Sequence, residues 1–334
     1  MEATSYCSSI PVAATRLSYA GSVRIGVHTS TSGSLERSAI SARELGANTF
    51  QIFSASPRMW RAKAPDKLQI QLLAAERAKH DLTPLVIHSN YLINLAAAPG
   101  GVRENSIKAF SGELERALMI GAEYLVVHPG NHKEQSLEQG LLNVAEAMAL
   151  AWRDVNESLK AKPRLKVLLE NTAGAGTHLG GDFSDLAIIQ QLAGRYLDIP
   201  IGFCLDTCHC HVCGFNLASE AGFEEMVAAA AETLGLENIP VIHANDAKAA
   251  HKSHLDRHAN IGAGYIGLEG FRRILNHPGL REKAFILETP DDNPGDHLRD
   301  IAALKELVSP KKPSTPRKSS PGGTNAGAKT RRST

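Results

Sequence analysis

Short apolar, β-branched runs recur along the chain between amphipathic stretches: VRIGVHTS (23–30), NTFQIFSAS (48–56), PLVIHSNY (84–91), YLVVHPG (124–130), KVLLENT (166–172), IGFCLDTCH (201–209), PVIHAND (240–246) and KAFILETP (283–290). Near-continuous hydrophobicity over so few residues marks strands covered on both faces. The intervening segments read as helices. In 103–121, Ile107, Phe110, Leu114 and Leu118 form one apolar stripe, and Gly121 supplies the stop. In 136–152, Ser136 and Gln139 make a capping-box signature ahead of Leu141, Val144, Met148 and Ala151. Segments 34–46, 66–80, 184–196, 219–235, 267–276 and 296–307 complete the set. Eight strand–helix alternations predict a single-domain α/β fold, a (β/α)8 TIM barrel, over residues 23–308.

Composition narrows the class without naming a chemistry. Apolar residues make up 43% of the chain and charged residues 21%, enough for a full core. No apolar run approaches the roughly 18–20 residues that span a bilayer, and the N-terminus lacks the basic start and apolar stretch of a secretory signal. Residues 1–22 are expected to be a flexible extension. Five cysteines, four of them clustered within residues 204–213, make a poor disulfide framework and point to a reducing compartment. The net charge of +1 conceals an asymmetry. From Lys311 onward the chain carries seven Lys/Arg and no acid, leaving 29 basic against 35 acidic residues before it. Rich in Pro, Gly and Ser, residues 309–334 are expected to form a disordered basic tail. That tail reads either as a solvated end or as an arm for phosphate backbones.

The chemistry gathers at the predicted strand ends. His88, His128, Glu170, Asp206, His243 and Glu288 each close one of the last six runs; His209 follows Asp206, and Asp256 and His258 follow the seventh strand. One histidine at a strand end is ordinarily a satisfied polar residue. Six successive strand ends bearing His, Asp or Glu are not explained that way, because a barrel directs all of them to one face. Five imidazoles and four carboxylates suit zinc, manganese or iron, and nine ligands exceed what one four-coordinate ion uses. Clustered divalent ions serve in-line phosphoryl chemistry. The stretch GFCLDTCHCHVCGF (202–215) invites a rival reading as a cysteine-based zinc knuckle around Cys210 and Cys213. Within the barrel it reads instead as the sixth strand running into its loop, with Cys204 and Cys208 as small buried hydrophobes.

The segments HSNYLINLA, VVHPGNH, LLENTAGAG, FCLDTCH, HANDAK, DRHANIGAG and ILETP, in this order, resemble the signature segments of the endonuclease IV family, zinc-dependent apurinic/apyrimidinic endonucleases built on a TIM barrel. The resemblance runs from about Arg24 to Leu307. It implies a DNA repair enzyme that hydrolyses the phosphodiester 5′ to abasic sites in duplex DNA and leaves a 3′-hydroxyl. It implies three zinc ions. His88 and His128 would hold the first, with Glu170 bridging it to a second completed by Asp206, His243 and Glu288; His209, Asp256 and His258 would hold the third. A hydroxide between the first two ions would be the nucleophile, with Glu170 as the central catalytic carboxylate. Arg58 and Tyr91-Leu92 match positions that penetrate the base stack, while Lys248 and Arg257 are candidate phosphate contacts. The resemblance further implies a cytoplasmic monomer that associates with the nucleoid during repair and has no obligate protein partner.

Two other readings stay open on the residues alone. A metal-dependent sugar isomerase or epimerase on a related barrel also places His, Asp and Glu at strand ends, although for fewer ions. A non-catalytic binder of damaged DNA would keep the Arg58 and Tyr91-Leu92 loops but has no need of a bridging Glu170.

Overall fold

The computed structural model describes residues 23–157, 159 and 163–309. The proposed extension at 1–22 and the basic residues from 311 onward lie outside them. Eight parallel strands close into a barrel: β1 (Arg24–His28), β2 (Thr49–Phe53), β3 (Leu85–His88), β4 (Tyr124–Val127), β5 (Lys166–Glu170), β6 (Ile201–Asp206), β7 (Val241–His243) and, after a small hairpin, β10 (Ala284–Leu287). Each strand pairs with its barrel neighbours in sequence, and β10 closes on β1. Every apolar run therefore becomes one barrel strand.

The outer layer is helical: α1 (Leu35–Glu44), α2 (Lys67–His80), α3 (Gly101–Ile120), α4 (Leu137–Asn156), α5 (Phe183–Ala193), α7 (Glu220–Thr233), α8 (Gly267–Asn276) and α9 (Asp296–Leu307). Their starts follow local chemistry. Asp66, Ser136, Asp182 and Ser219 each accept a backbone N–H in the first turn of α2, α4, α5 and α7. Only half of the expected capping box forms, because Gln139 turns its amide to Asn143 instead of back to Ser136. Gly121 ends α3 at φ 74°, the left-handed conformation a glycine adopts without strain. Among the described residues, no helix is long and apolar enough to cross a membrane.

Two elements depart from the sequence reading. The chain after Asp206 is not a loop: Thr207–Cys213 forms a short helix, α6, because the Asp206 carboxylate accepts the His209 N–H at 2.8 Å and caps it. Between β7 and α8, β8 (Asp246–Ala247) and β9 (His258–Ala259) pair antiparallel.

Two apolar cores result from the alternation of side chains. Trp152, Phe110, Phe203, Phe271 and Phe285 lie in the shell between strands and helices. A smaller cluster of Val86, Val126, Leu168, Cys204, Val241, Ala284 and Ile286 lies on the alternate strand positions, filling the barrel interior.

Candidate metal centre

The positions of the candidate ligands follow from that interior packing. In a strand, residues i and i+2 face the same side. Val86 therefore carries His88 above it, Val126 carries His128, Leu168 carries Glu170, Cys204 carries Asp206, Val241 carries His243, and Ile286 carries Glu288. Six consecutive strands thus lift one polar side chain each out of the apolar plug at the C-terminal end of the barrel. Asp206 also caps α6, which sets His209 one turn further along.

Glu170 is at the centre and fully buried. Its Oε2 lies 3.1 Å from His88 Nε2 and 3.4 Å from His128 Nε2, while Oε1 lies 2.8 Å from His243 Nδ1. One carboxylate thus faces two separate imidazole sets with its two oxygens. Glu288 Oε2 lies 3.3 Å from His243 Nδ1. On the other side, Asp256 reaches His209 Nε2 at 3.1 Å and His258 Nε2 at 3.3 Å, and Asp206 lies 3.7 Å from His258 Nε2. The potential ligand atoms of His88, His128 and Glu170 lie within 4.8 Å of one another. So do those of Glu170, Asp206, His243 and Glu288, and those of Asp206, His209 and His258. All nine sequence candidates belong to one continuous cluster, with Asp206 shared between two of its parts.

The donor set fits divalent cations. The Nδ1 atoms of His88, His209 and His258 face the backbone carbonyls of Ser89, Asn171 and Glu288 at 2.7, 2.9 and 3.1 Å. A carbonyl only accepts, so each ring keeps a proton on Nδ1 and turns Nε2, the nitrogen left to ligate when a cation displaces its proton, into the cluster. The Nε2 atoms of His209 and His258 are buried and have no partner in hydrogen-bonding geometry, which suits them to coordinate a cation. Burial alone would lower these two rings, but Asp206, Asp256 and neighbouring carboxylates outweigh it and raise them to about 10 and about 9. Burial opposes ionisation of Glu170, yet His243 and His128 hold it well below the usual carboxylate range. Concentrated opposite charge of this kind is relieved when a cation displaces the protons.

The four cysteines among the described residues divide into two kinds. Cys204 stands within ligand range of Glu170 and His243, and Cys208 within range of Asp256 and His258. Burial pushes the Cys204 thiol up to about 12 and the Cys208 thiol higher still, which disfavours the thiolate a metal requires. Cys210 and Cys213 join no such group among the described residues. Cys210 Sγ accepts from Asn171 Nδ2 at 3.4 Å, and Cys213 Sγ donates to Gly181 O at 3.2 Å.

Sequence reasoning passed over the residues that hold the ligands. Asn171 Oδ1 accepts the Asp206 N–H at 2.7 Å. Asn245 Nδ2 donates to Asp206 Oδ2 at 2.6 Å, while its Oδ1 accepts the Glu288 N–H at 2.7 Å, tying three strand ends together. The buried Asp246 accepts from the backbone N–H groups of Ala247, Gly262, Gly264 and Ile266, folding the excursion that carries Asp256 and His258 back onto the barrel. Gly264 is required there, since a Cβ would stand 2.4 Å from Ala247 O. Asn171, directly after Glu170, and Asn245, two residues after His243, carry a local signal as amides beside candidate ligands; Asp246 gives no comparable signal.

A cleft of about 460 Å³ opens beside the cluster, lined by Asn90, Tyr91, Leu92, His128, Lys133, Thr172, His209 and Asp256 among others. Tyr91 is 70% exposed at its mouth and meets Phe53 edge-on at 5.2 Å; Leu92 is half-buried in the wall. Leu92 is presented by a local turn in which Asn90 Oδ1 accepts its N–H. Arg58 is exposed on the loop after β2. Beneath both loops, buried Glu113 binds Arg116 Nη2 at 3.0 Å, accepts from Ser54 Oγ at 2.5 Å and accepts from Asn90 Nδ2 at 3.4 Å. Lys248 and Arg257, both exposed, adjoin across the β8–β9 hairpin, where the Lys248 N–H donates to Arg257 O at 2.8 Å.

Comparison with known proteins adds an independent line. A family model described as a xylose isomerase-like TIM barrel matches residues 40–307. A probable endonuclease 4 from Solibacter usitatus is 54% identical over 291 residues, spanning 87% of this chain and 99% of the relative. A second probable endonuclease 4, from Halothermothrix orenii, is 40% identical over 80% of this chain and 94% of its own. Among solved structures, endonuclease IV from Thermus thermophilus superposes with a TM-score of 0.74 at 34% identity, covering 85% of this chain and 98% of that one. A D-tagatose 3-epimerase-like protein superposes at 0.60 with 20% identity, a likeness of fold alone.

Proposed function

The chain belongs to the endonuclease IV family, and from that membership we propose that it is a DNA repair endonuclease that cuts duplex DNA on the 5′ side of abasic sites and leaves a 3′-hydroxyl. The observation that carries this reading is Glu170, whose two oxygens divide between His88 with His128 on one side and His243 on the other. A carboxylate so placed would hold two cations, one on each oxygen, an arrangement suited to phosphodiester hydrolysis.

Three zinc ions are the proposed complement, with manganese or iron able to replace zinc at nitrogen and oxygen ligands. His88, His128 and Glu170 hold the first, Glu170, Asp206, His243 and Glu288 the second, and His209, Asp256 and His258 the third, with Asp206 Oδ2 also 3.7 Å from His258 Nε2. Bound there, the ions supply a nucleophile from water at neutral pH and neutralise charge gathering on the phosphoryl oxygens. The protein's own side chains position the substrate. Tyr91 and Leu92 enter the stack from the cleft wall and Arg58 approaches from the facing loop, filling the space an extruded abasic nucleotide leaves. Lys248 and Arg257 contact phosphates from the β8–β9 hairpin. The enzyme acts as a monomer on damaged double-stranded DNA.

A duplex carrying one abasic analogue and a 5′ label tests the reading. The expected result is a single incision whose 3′ end a polymerase extends, lost after prolonged chelation and restored by zinc. Cleavage that survives complete metal removal would overturn it, as would isomerisation of a free sugar with no incision of DNA.

A further inference from the structure

Three of the ligand histidines present Nε2 to the cluster and rest Nδ1 on a backbone carbonyl, but His243 is turned the other way. Its Nδ1 faces Glu170 and Glu288, and its Nε2 meets a side chain, Gln51 Oε1, at 2.9 Å. Gln51 belongs to β2, a strand that contributes no ligand, and it is fully buried in the barrel interior. Its amide orientation follows from chemistry. Gln51 Nε2 lies 2.6 Å from Glu288 Oε1, and an ionised carboxylate only accepts, so the NH₂ group must point there. The same NH₂ also meets His28 Nδ1 at 3.1 Å. Oε1 is thereby committed to His243. An amide oxygen only accepts, so Nε2 of His243 keeps its proton on Gln51, and Nδ1, which shares a proton with Glu170 Oε1 at 2.8 Å, is the nitrogen left to ligate when a cation displaces that proton.

We propose that Gln51 is a positioning residue for the second metal ion: it fixes His243 in the Nδ1-ligating tautomer and holds Glu288 beside it. It does for His243 what a backbone carbonyl does for His88, His209 and His258, and it orients two ligands of one ion at once. Partners of this kind typically contribute about 10–100-fold to metal affinity. Gln51 does not line the cleft beside the cluster, so its effect falls on metal retention and turnover and leaves DNA binding alone.

This inference rests on the proposed metal-dependent function, and its test separates the two. Zinc affinity is measured by competition with a chromophoric chelator for the wild-type protein, Gln51→Met and Gln51→Glu, alongside the melting temperature of each metal-free protein. Methionine keeps the volume and removes both polar arms; glutamate keeps an acceptor for His243 Nε2–H but loses the donor to Glu288 and faces it with a second carboxylate. The expected result is that one of the three zinc equivalents binds about 10–100-fold more weakly in Gln51→Met, with kcat reduced and KM for an abasic duplex unchanged. Gln51→Glu is expected to fall below wild type as well, because it cannot donate to Glu288. Zinc binding within twofold of wild type in either Gln51→Met or Gln51→Glu would overturn the proposal. Weakened zinc binding that merely tracks a collapse of the metal-free fold in both variants would also overturn it. A wild-type protein that takes up no zinc would instead overturn the functional reading beneath it.

Discussion

Replacing Glu113 with glutamine probes how the two substrate-facing loops are held. The substitution keeps the side chain's shape and removes its charge, leaving the Arg116 guanidinium, only 9% exposed, without its counter-ion. Breaking a buried ion pair from one side costs about 3–5 kcal/mol. Unfolding entropy of about 2.1 cal/mol/K per residue over a barrel of roughly 285 residues gives about 0.6 kcal/mol/K, so the midpoint should fall by roughly 5–8 °C. Scans at one fixed rate keep that comparison sound if unfolding is irreversible. Ser54, on the loop that carries Arg58, and Asn90, next to Tyr91-Leu92, both donate to this carboxylate. If half of one charge-assisted hydrogen bond, about 1.4 kcal/mol, must then be drawn from binding to re-order the loops, affinity for an abasic duplex drops roughly tenfold. Anisotropy titrations measure that, and zinc content should stay at the wild-type value. A midpoint shift below about 2 °C would refute the buried-pair argument. Unchanged DNA affinity would refute the coupling to the loops.

The remaining expectations concern the substrate surface. Leu92→Ala removes three carbons from the proposed wedge; at about 0.8 kcal/mol per buried CH₂ this weakens binding to abasic duplex by up to roughly 50-fold while thermal stability barely moves, and equal affinities for the two proteins would remove Leu92 from the stack. Deleting residues 311–334, with seven Lys/Arg, is expected to flatten the salt dependence of binding by up to about 0.9 in log–log slope for each phosphate the tail neutralises. An unchanged slope would dismiss the tail as a DNA arm.

The barrel was legible because each strand is buried on both faces, so its apolar run stands out without reference to its partners. The convergence of the candidate ligands was legible for a related reason: a histidine or carboxylate at the end of such a run points to the common C-terminal face. The short helix α6 was hidden because Thr207–Cys213 is buried along nearly its whole length and shows no amphipathic period. Its cap, Asp206, had already been read as a strand residue. Gln51 was visible as a lone amide inside NTFQIFSAS, but its meaning depends on His243 and Glu288, which lie 192 and 237 residues away in sequence. Glu113 sits in a helix that otherwise reads as ordinary, and only folding brings Ser54 and Asn90 to it. Local pattern reveals what a strand or helix displays by itself; the polar ties between elements have no period to find.

The most direct test of the account is single-turnover cleavage of an abasic duplex by wild type and Glu170→Gln, with zinc content measured on the same samples. Glutamine keeps the shape of the central side chain but cannot bridge two cations with two anionic oxygens. A loss of about 4 kcal/mol of transition-state stabilisation corresponds to a rate reduced ~10³-fold, accompanied by fewer than three retained zinc ions. A Glu170→Gln protein that cuts within tenfold of wild type would contradict the claim that this cluster is the catalytic centre.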